Sequence, residues 1–182
     1  YCFRWAQFVG MEEFKFSNNE VASLVRYLKH HAEVRDVLIT GGDPMIMKTS
    51  ILKRYIEPLL KIESLRSIRI GTKALAWWPY RFVSDNDADD LLRLFEQVVE
   101  SGKHLALMAH YSHPRELSTG ISDLAIRRIQ QTGVTIRSQA PPIRNVNDYP
   151  DIWAAMWQKH VDLGIIPYYM FVERDTGPRQ YF

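Results

Sequence analysis

Asp36-Val37-Leu38-Ile39-Thr40-Gly41-Gly42-Asp43-Pro44 contains a short apolar run that stops at two glycines. A run of this length, bounded by glycine, reads as a buried strand over 36–40. The same form recurs at 66–72, 104–110, 134–139 and 166–172. Around these runs the apolar residues fall at helical spacing. The first helix is expected over 17–31, with Ser17-Asn18-Asn19-Glu20 as its cap and Val21, Leu24, Val25 and Leu28 as its stripe. Four more are expected over 49–62, 85–101, 122–132 and 150–163, the last three stopped by Gly102, Gly133 and Gly164. Pro58 lies inside the second and suggests a kink or a break. Continuous apolar strands alternating with helices are those of a parallel α/β sheet buried on both faces. Either a doubly wound sheet or part of a (β/α) barrel would satisfy this order. The G-x-G-x-x-G that would open the first helix of a dinucleotide-binding sheet is absent, so a partial barrel of five parallel strands is expected.

Composition narrows the function classes. The chain has 182 residues, 46% of them hydrophobic, enough for one domain with a core. Twenty-three Lys and Arg against 21 Asp and Glu leave a formal charge of +2, with no basic run. That balance gives no nucleic-acid footprint. One cysteine cannot make an internal disulfide, so a reducing, cytoplasmic setting is expected. No apolar run approaches a membrane span; the one over 105–109 is strand-sized.

In a parallel barrel the working residues gather at the C-terminal ends of the strands. Those ends carry Gly41-Gly42-Asp43-Pro44, Gly71-Thr72-Lys73, His110 with Ser112-His113-Pro114-Arg115-Glu116, Ser138-Gln139, and Glu173-Arg174-Asp175. The opposite loops hold only the glycine stops. The two glycines of the first end allow a backbone to approach a ligand closely, or simply make a tight turn. His110, His113 and Glu116 are spaced so that they could bind a metal, or serve as a core histidine and a helix entry. Trp77-Trp78-Pro79-Tyr80 reads as a packed cover or as a substrate platform. The acidic stretch 85–90 suits a helix N-terminus, and Tyr168 and Tyr169 are expected to straddle the last strand, one of them inward.

Tyr1-Cys2-Phe3-Arg4, residues 34–44, Ile68-Arg69-Ile70-Gly71-Thr72, residues 110–116, Ser138-Gln139, Val146-Asn147-Asp148 and Pro167-Tyr168-Tyr169 together resemble the lysine 2,3-aminomutase family of radical S-adenosylmethionine enzymes over nearly the whole chain. Cys2 matches the last cysteine of the C-x-x-x-C-x-x-C signature. The resemblance implies a radical S-adenosylmethionine core domain over 1–182, a partial (β/α)6 TIM-like barrel. A chain opening at Tyr1 is then expected to lack the first strand, two cluster cysteines and a C-terminal extension. It implies that Cys2 is one of three thiolates on a [4Fe–4S] cluster whose fourth iron is left for the cofactor. It implies that Gly41, Gly42, Asp43, His110 and Gln139 contact S-adenosylmethionine, and that Arg4 grips the substrate's carboxylate. It implies pyridoxal phosphate as a further cofactor, whose lysine lies beyond Phe182, and an electron donor such as flavodoxin or ferredoxin. The implied activity is isomerisation of an amino acid by a 5′-deoxyadenosyl radical, with the fragment itself inactive. In the lysine-specific branch an aspartate binds the distal ammonium. A gapless match puts Arg174 there and a one-residue gap puts Asp175 there, so a substrate other than lysine stays open, as does a homo-oligomer. Two other readings compete: a metal-dependent barrel hydrolase using His110 and His113, and a non-catalytic binding relic.

Overall fold

The computed structural model describes residues 21–172. Helix α1 (Val21–His30) leads into β1 (Asp36–Ile39), followed by α2 (Thr49–Leu60), β2 (Ser67–Thr72) and a short α3 (Ala74–Trp77). Next come α4 (Ala88–Glu100), β3 (His104–His110), α5 (Gly120–Gln131), β4 (Thr135–Ala140), α6 (Pro150–Asp162) and β5 (Ile166–Met170). Three 3₁₀ turns follow the strand ends, at Pro44–Ile46, Pro79–Phe82 and Pro114–Leu117.

The strands pair in the order β1-β2-β3-β4-β5, every pair parallel. A doubly wound sheet reverses its order at a switch point. This one does not. Right-handed crossovers between sequential neighbours carry the helices to one face, which gives an arc of a barrel, as expected. Alternation along each strand divides the two faces. Ile68, Ile70, Leu105, Leu107 and Ile136 join the core beneath the helices. The residues between them, among them Arg69, His110, Arg137 and Gln139, lie on the concave face, which we call the lumen.

The helix stops are made as read. Gly102, Gly133 and Gly164 have φ of 79°, 82° and 70°, each two residues past the end of its helix. Only glycine takes that left-handed position without strain. The acidic stretch starts a helix as expected, and three other local expectations need correction. Helix α2 runs through Pro58 without a break and ends two residues later; the bond forgone is the single one from residue 58 to the carbonyl of Arg54. In the acidic stretch, Asp89 and Asp90 do sit in the first turn of α4. Asp87 instead faces the buried guanidinium of Arg81, with Nη1 donating to Oδ1 at 2.7 Å. The Trp77–Tyr80 segment is not a packed cover, since Trp77 is 68% and Tyr80 53% exposed. Tyr168 and Tyr169 do not straddle β5: their ring centroids lie 4.0 Å apart. The register shifts between Ser138 and Gln139, pairing Gln139 with Tyr169 rather than Tyr168. Such an irregularity breaks the alternation that the straddling arrangement needs.

His160 on α6 is fully buried, 5.1 Å from the ring of Tyr111, and among the described residues neither ring nitrogen has a hydrogen-bond partner. Burial pushes its pKa down to about 4. The folded state therefore excludes a proton that the unfolded chain takes up near pH 6.5. Stability is full above about pH 6.5 and is lost as pH falls from there toward 4, by up to roughly 3 kcal/mol. His160→Phe keeps a ring beside Tyr111 and removes the titration. Denaturant melts from pH 7 to pH 4 should show the variant losing less stability than the parent; parallel profiles would contradict this account.

Candidate functional site

The tips of β1 to β4 meet at one end of the arc. At the first, Asp43 is fully engaged within the protein. Its Oδ1 accepts from Met45 N at 3.0 Å and from Thr72 Oγ1 at 2.7 Å, and its Oδ2 accepts from Lys73 N at 2.7 Å. Asp43 thus brackets the glycine turn to the end of β2. The turn itself is open. Gly41 has φ 157°, and a Cβ built on Gly41 or on Gly42 would meet nothing within 4 Å. Among the described residues nothing fills this space, so backbone is presented there without side chains.

His110 closes β3 and Gln139 is the next-to-last residue of β4, and the register sets them directly opposite one another. Both face the lumen. His110 Nε2 lies 3.1 Å from Ser112 Oγ, and Ser112 Oγ accepts from Lys73 Nζ at 3.1 Å. Lys73 Nζ also donates to Glu116 Oε1 at 3.1 Å. Burial first, and then the Lys73 ammonium, push the His110 pKa down to about 3. The imidazole is therefore neutral at pH 7, available to donate from one nitrogen and accept at the other. The end of the arc offers an open backbone turn, a neutral imidazole, a primary amide and a charge-balanced ammonium. That donor set fits a zwitterionic amino acid joined to a nucleoside. It adds no net charge beside the ligand.

The metal reading of the third strand end is not supported. His113 Nδ1 accepts from Arg115 N at 3.2 Å, while Glu116 Oε2 accepts from Ser112 N at 2.6 Å and His113 N at 3.3 Å. The pair forms a capping box for the 3₁₀ turn Pro114–Leu117. Among the described residues no three His, Cys, Asp or Glu side chains come together as metal ligands. Cys2, Arg4, Arg174 and Asp175 lie outside the described residues. A cleft of about 870 Å³ runs between the starts of α2 and α4, lined by Lys48, Lys53, Asp90 and Arg93, outside the sheet and away from the strand tips.

Neither Lys73 nor Ser112 carries a role in the sequence reading, and Glu116 figures there only as a possible metal ligand, although all three stand in the strand ends singled out. That reading also passed over Arg69 and Arg137. Each interrupts an apolar strand at alternate spacing, Ile68-Arg69-Ile70 and Ile136-Arg137-Ser138, a pattern that by itself marks a polar lumen residue.

Fold and strand order together define part of a parallel (β/α)-barrel core. The chain is a homologue of the 2,3-aminomutases. An Aquifex aeolicus protein provisionally named L-lysine 2,3-aminomutase is 38% identical over 97% of the chain and 46% of its own length. L-lysine 2,3-aminomutase of Methanococcus maripaludis is 28% identical over 85% of the chain and 34% of its own length. Glutamate 2,3-aminomutase of Clostridioides difficile is 24% identical over 96% of the chain and 39% of its own length. The chain therefore spans less than half the length of these relatives. No family model matches it. Among the described residues no helix is long and apolar enough to cross a membrane.

Proposed function

We propose that this chain is the core of a radical S-adenosylmethionine enzyme, an amino-acid 2,3-aminomutase that moves an amino group between adjacent carbons. The observation that carries the reading is the pairing of His110 with Gln139 at adjacent strand tips, in a chain whose homologues are aminomutases. In this reading Cys2 is one of the three thiolates that hold the [4Fe–4S] cluster. The Gly41-Gly42 backbone meets the amino-acid part of S-adenosylmethionine, and Asp43 holds that turn rather than the ligand. His110, kept neutral, and Gln139 add hydrogen bonds without adding charge. Arg4 pairs with the substrate carboxylate, and Arg174 or Asp175 faces its far end. Pyridoxal phosphate is proposed from the relatives alone. When bound, the cluster and S-adenosylmethionine supply the carbon radical that removes a substrate hydrogen, and pyridoxal phosphate carries the migrating amino group. The barrel excludes water from that chemistry, and a flavodoxin or ferredoxin supplies the electron.

The test is formation of 5′-deoxyadenosine by the intact, anaerobically reconstituted and reduced protein. His110→Ala and Gln139→Ala should each slow it about tenfold or more, the cost of one lost hydrogen bond to a charged or developing charge, with melting temperatures close to the parent's. Parent rates in both variants would show that the site is misplaced, and no cleavage by the parent would leave the binding relic as the better reading.

A further inference from the structure

Two arginines stand on the lumen face of the sheet. Arg69 on β2 lies beside Leu38 and Ala106, and Arg137 on β4 lies beside Met108 and Ile166. Their charges are balanced differently. Arg69 Nε donates to Asp36 Oδ1 at 2.9 Å, which offsets its charge. Arg137 lies instead over an aromatic ring, its Cζ 5.1 Å from the centroid of Tyr168. Among the described residues no carboxylate pairs with it. The same guanidinium hydrogen-bonds the Tyr168 hydroxyl, and its five-donor fork has capacity for a further partner.

The surroundings of Arg137 point the same way. The register shift between Ser138 and Gln139 brings Tyr168 and Tyr169 together beside it. The Tyr168 hydroxyl is held below its ordinary pKa, first by a hydrogen bond from Tyr169 and then by the positive charges of Arg137 and Arg69. Both guanidinium groups are therefore felt at one point. That point is two residues below Gln139 on the same face of β4, and Gln139 is paired with His110. The unbalanced cation lies on the lumen side of the ligand end, where a bound small molecule would extend into the barrel.

We propose that Arg137, with Arg69 and the hydroxyls of Tyr168 and Tyr169, binds a carboxylate on the substrate side chain, so that the substrate is an acidic amino acid rather than lysine. This rests on the aminomutase reading above. A planar fork with two adjacent hydroxyls suits a carboxylate. The same cation would repel a distal ammonium. A carboxylate could also come from S-adenosylmethionine itself, and the experiment separates the two sources.

The experiment is calorimetric titration of the intact protein with glutamate, aspartate, lysine and S-adenosylmethionine, repeated on Arg137→Gln and Arg137→Lys. It reads binding and needs no turnover. Glutamate or aspartate should bind at least about tenfold more tightly than lysine. Arg137→Gln should weaken that binding about ten- to a hundredfold, the loss of a charge-assisted pair. Arg137→Lys should recover only part of it, and the affinity for S-adenosylmethionine should stay unchanged. Lysine binding as tightly as the acidic amino acids, or no amino acid binding at all, overturns the proposal. So does acidic amino-acid binding that ignores Arg137→Gln, or a loss confined to S-adenosylmethionine, which would assign the cation to the cofactor. Melting temperatures of both variants report whether the fold is kept, and Arg137→Lys carries the test if the glutamine variant unfolds. A protein that fails to cleave S-adenosylmethionine refutes the aminomutase reading alone; Arg137-dependent binding of glutamate or aspartate would survive that failure.

Discussion

Arg81→Leu is expected to lower stability by about 3–5 kcal/mol, the cost of breaking a buried, hydrogen-bonded ion pair from one side. The guanidinium is only 2% exposed. Its Nε donates to Met45 O at 2.9 Å, and its Nη2 donates to Met47 O at 3.3 Å and Thr49 Oγ1 at 3.1 Å. Its Nη1 reaches Asp87 Oδ1 at 2.7 Å, and Thr49 N donates to Asp87 Oδ2 at 2.7 Å. One side chain thus fastens the turn after Gly41-Gly42 to the starts of α2 and α4. Leucine would fill much of the volume, take their Arg81 donors from two carbonyls, and leave the Asp87 carboxylate with only the Thr49 amide. For a chain of this size the loss corresponds to a fall in Tm of roughly 6–20 °C. Calorimetry checks it, and a Tm within about 2 °C of the parent's would contradict the network. A second reading follows from Asp87. Burial pushes its carboxyl up, but hydrogen bonds from Thr49 and the charge and hydrogen bond of Arg81 outweigh that and hold it below the usual value. A depressed carboxylate contributes stability above its unfolded pKa and loses it as pH falls through the folded one. Arg81→Leu should shrink that acid-side loss.

Gly42→Val has the opposite character: the ligand suffers and the fold does not. A Cβ at Gly42 meets no protein atom within 4 Å, and the residue is exposed. Valine there costs the free protein little. It would fill the space in which backbone is to meet S-adenosylmethionine. Overpacking of that kind costs about 1–3 kcal/mol, roughly ten- to a hundredfold in affinity. Gly41→Val is a useful contrast. At φ 157° a side chain is strained whatever the space, so Gly41→Val should also lower Tm. Titration with S-adenosylmethionine beside thermal melts separates the two effects. Unchanged affinity in Gly42→Val would remove the glycine turn from the site.

The fold was largely legible because its signals are local. Five apolar runs and three glycine stops are set by burial and by φ, and neither depends on distant residues. Arg81 was not legible. Nothing in Pro79-Tyr80-Arg81-Phe82 says that a cation will be buried, because its partners Met45, Met47 and Asp87 come from other segments. Asp87 does stand at the helix start, but its pairing with Arg81 was hidden for the same reason. Tyr168 and Tyr169 were misread because the register shift depends on how β4 and β5 pair, which the β5 sequence does not contain. In the site, His110 and Gln139 could be named singly from their strand ends. Their direct opposition follows only from the β3–β4 register. The role of His113 was decided by its neighbour Arg115, whose amide it accepts, rather than by its spacing from His110.

Iron content tests the central claim most directly. The intact protein, purified without oxygen, should be brown and hold about four irons per chain, as a [4Fe–4S] cluster requires. Cys2→Ser should lose most of that iron, because an alcohol does not replace a thiolate ligand at neutral pH. Iron near zero after anaerobic reconstitution of the parent, or the same iron content in Cys2→Ser, would contradict the radical S-adenosylmethionine reading.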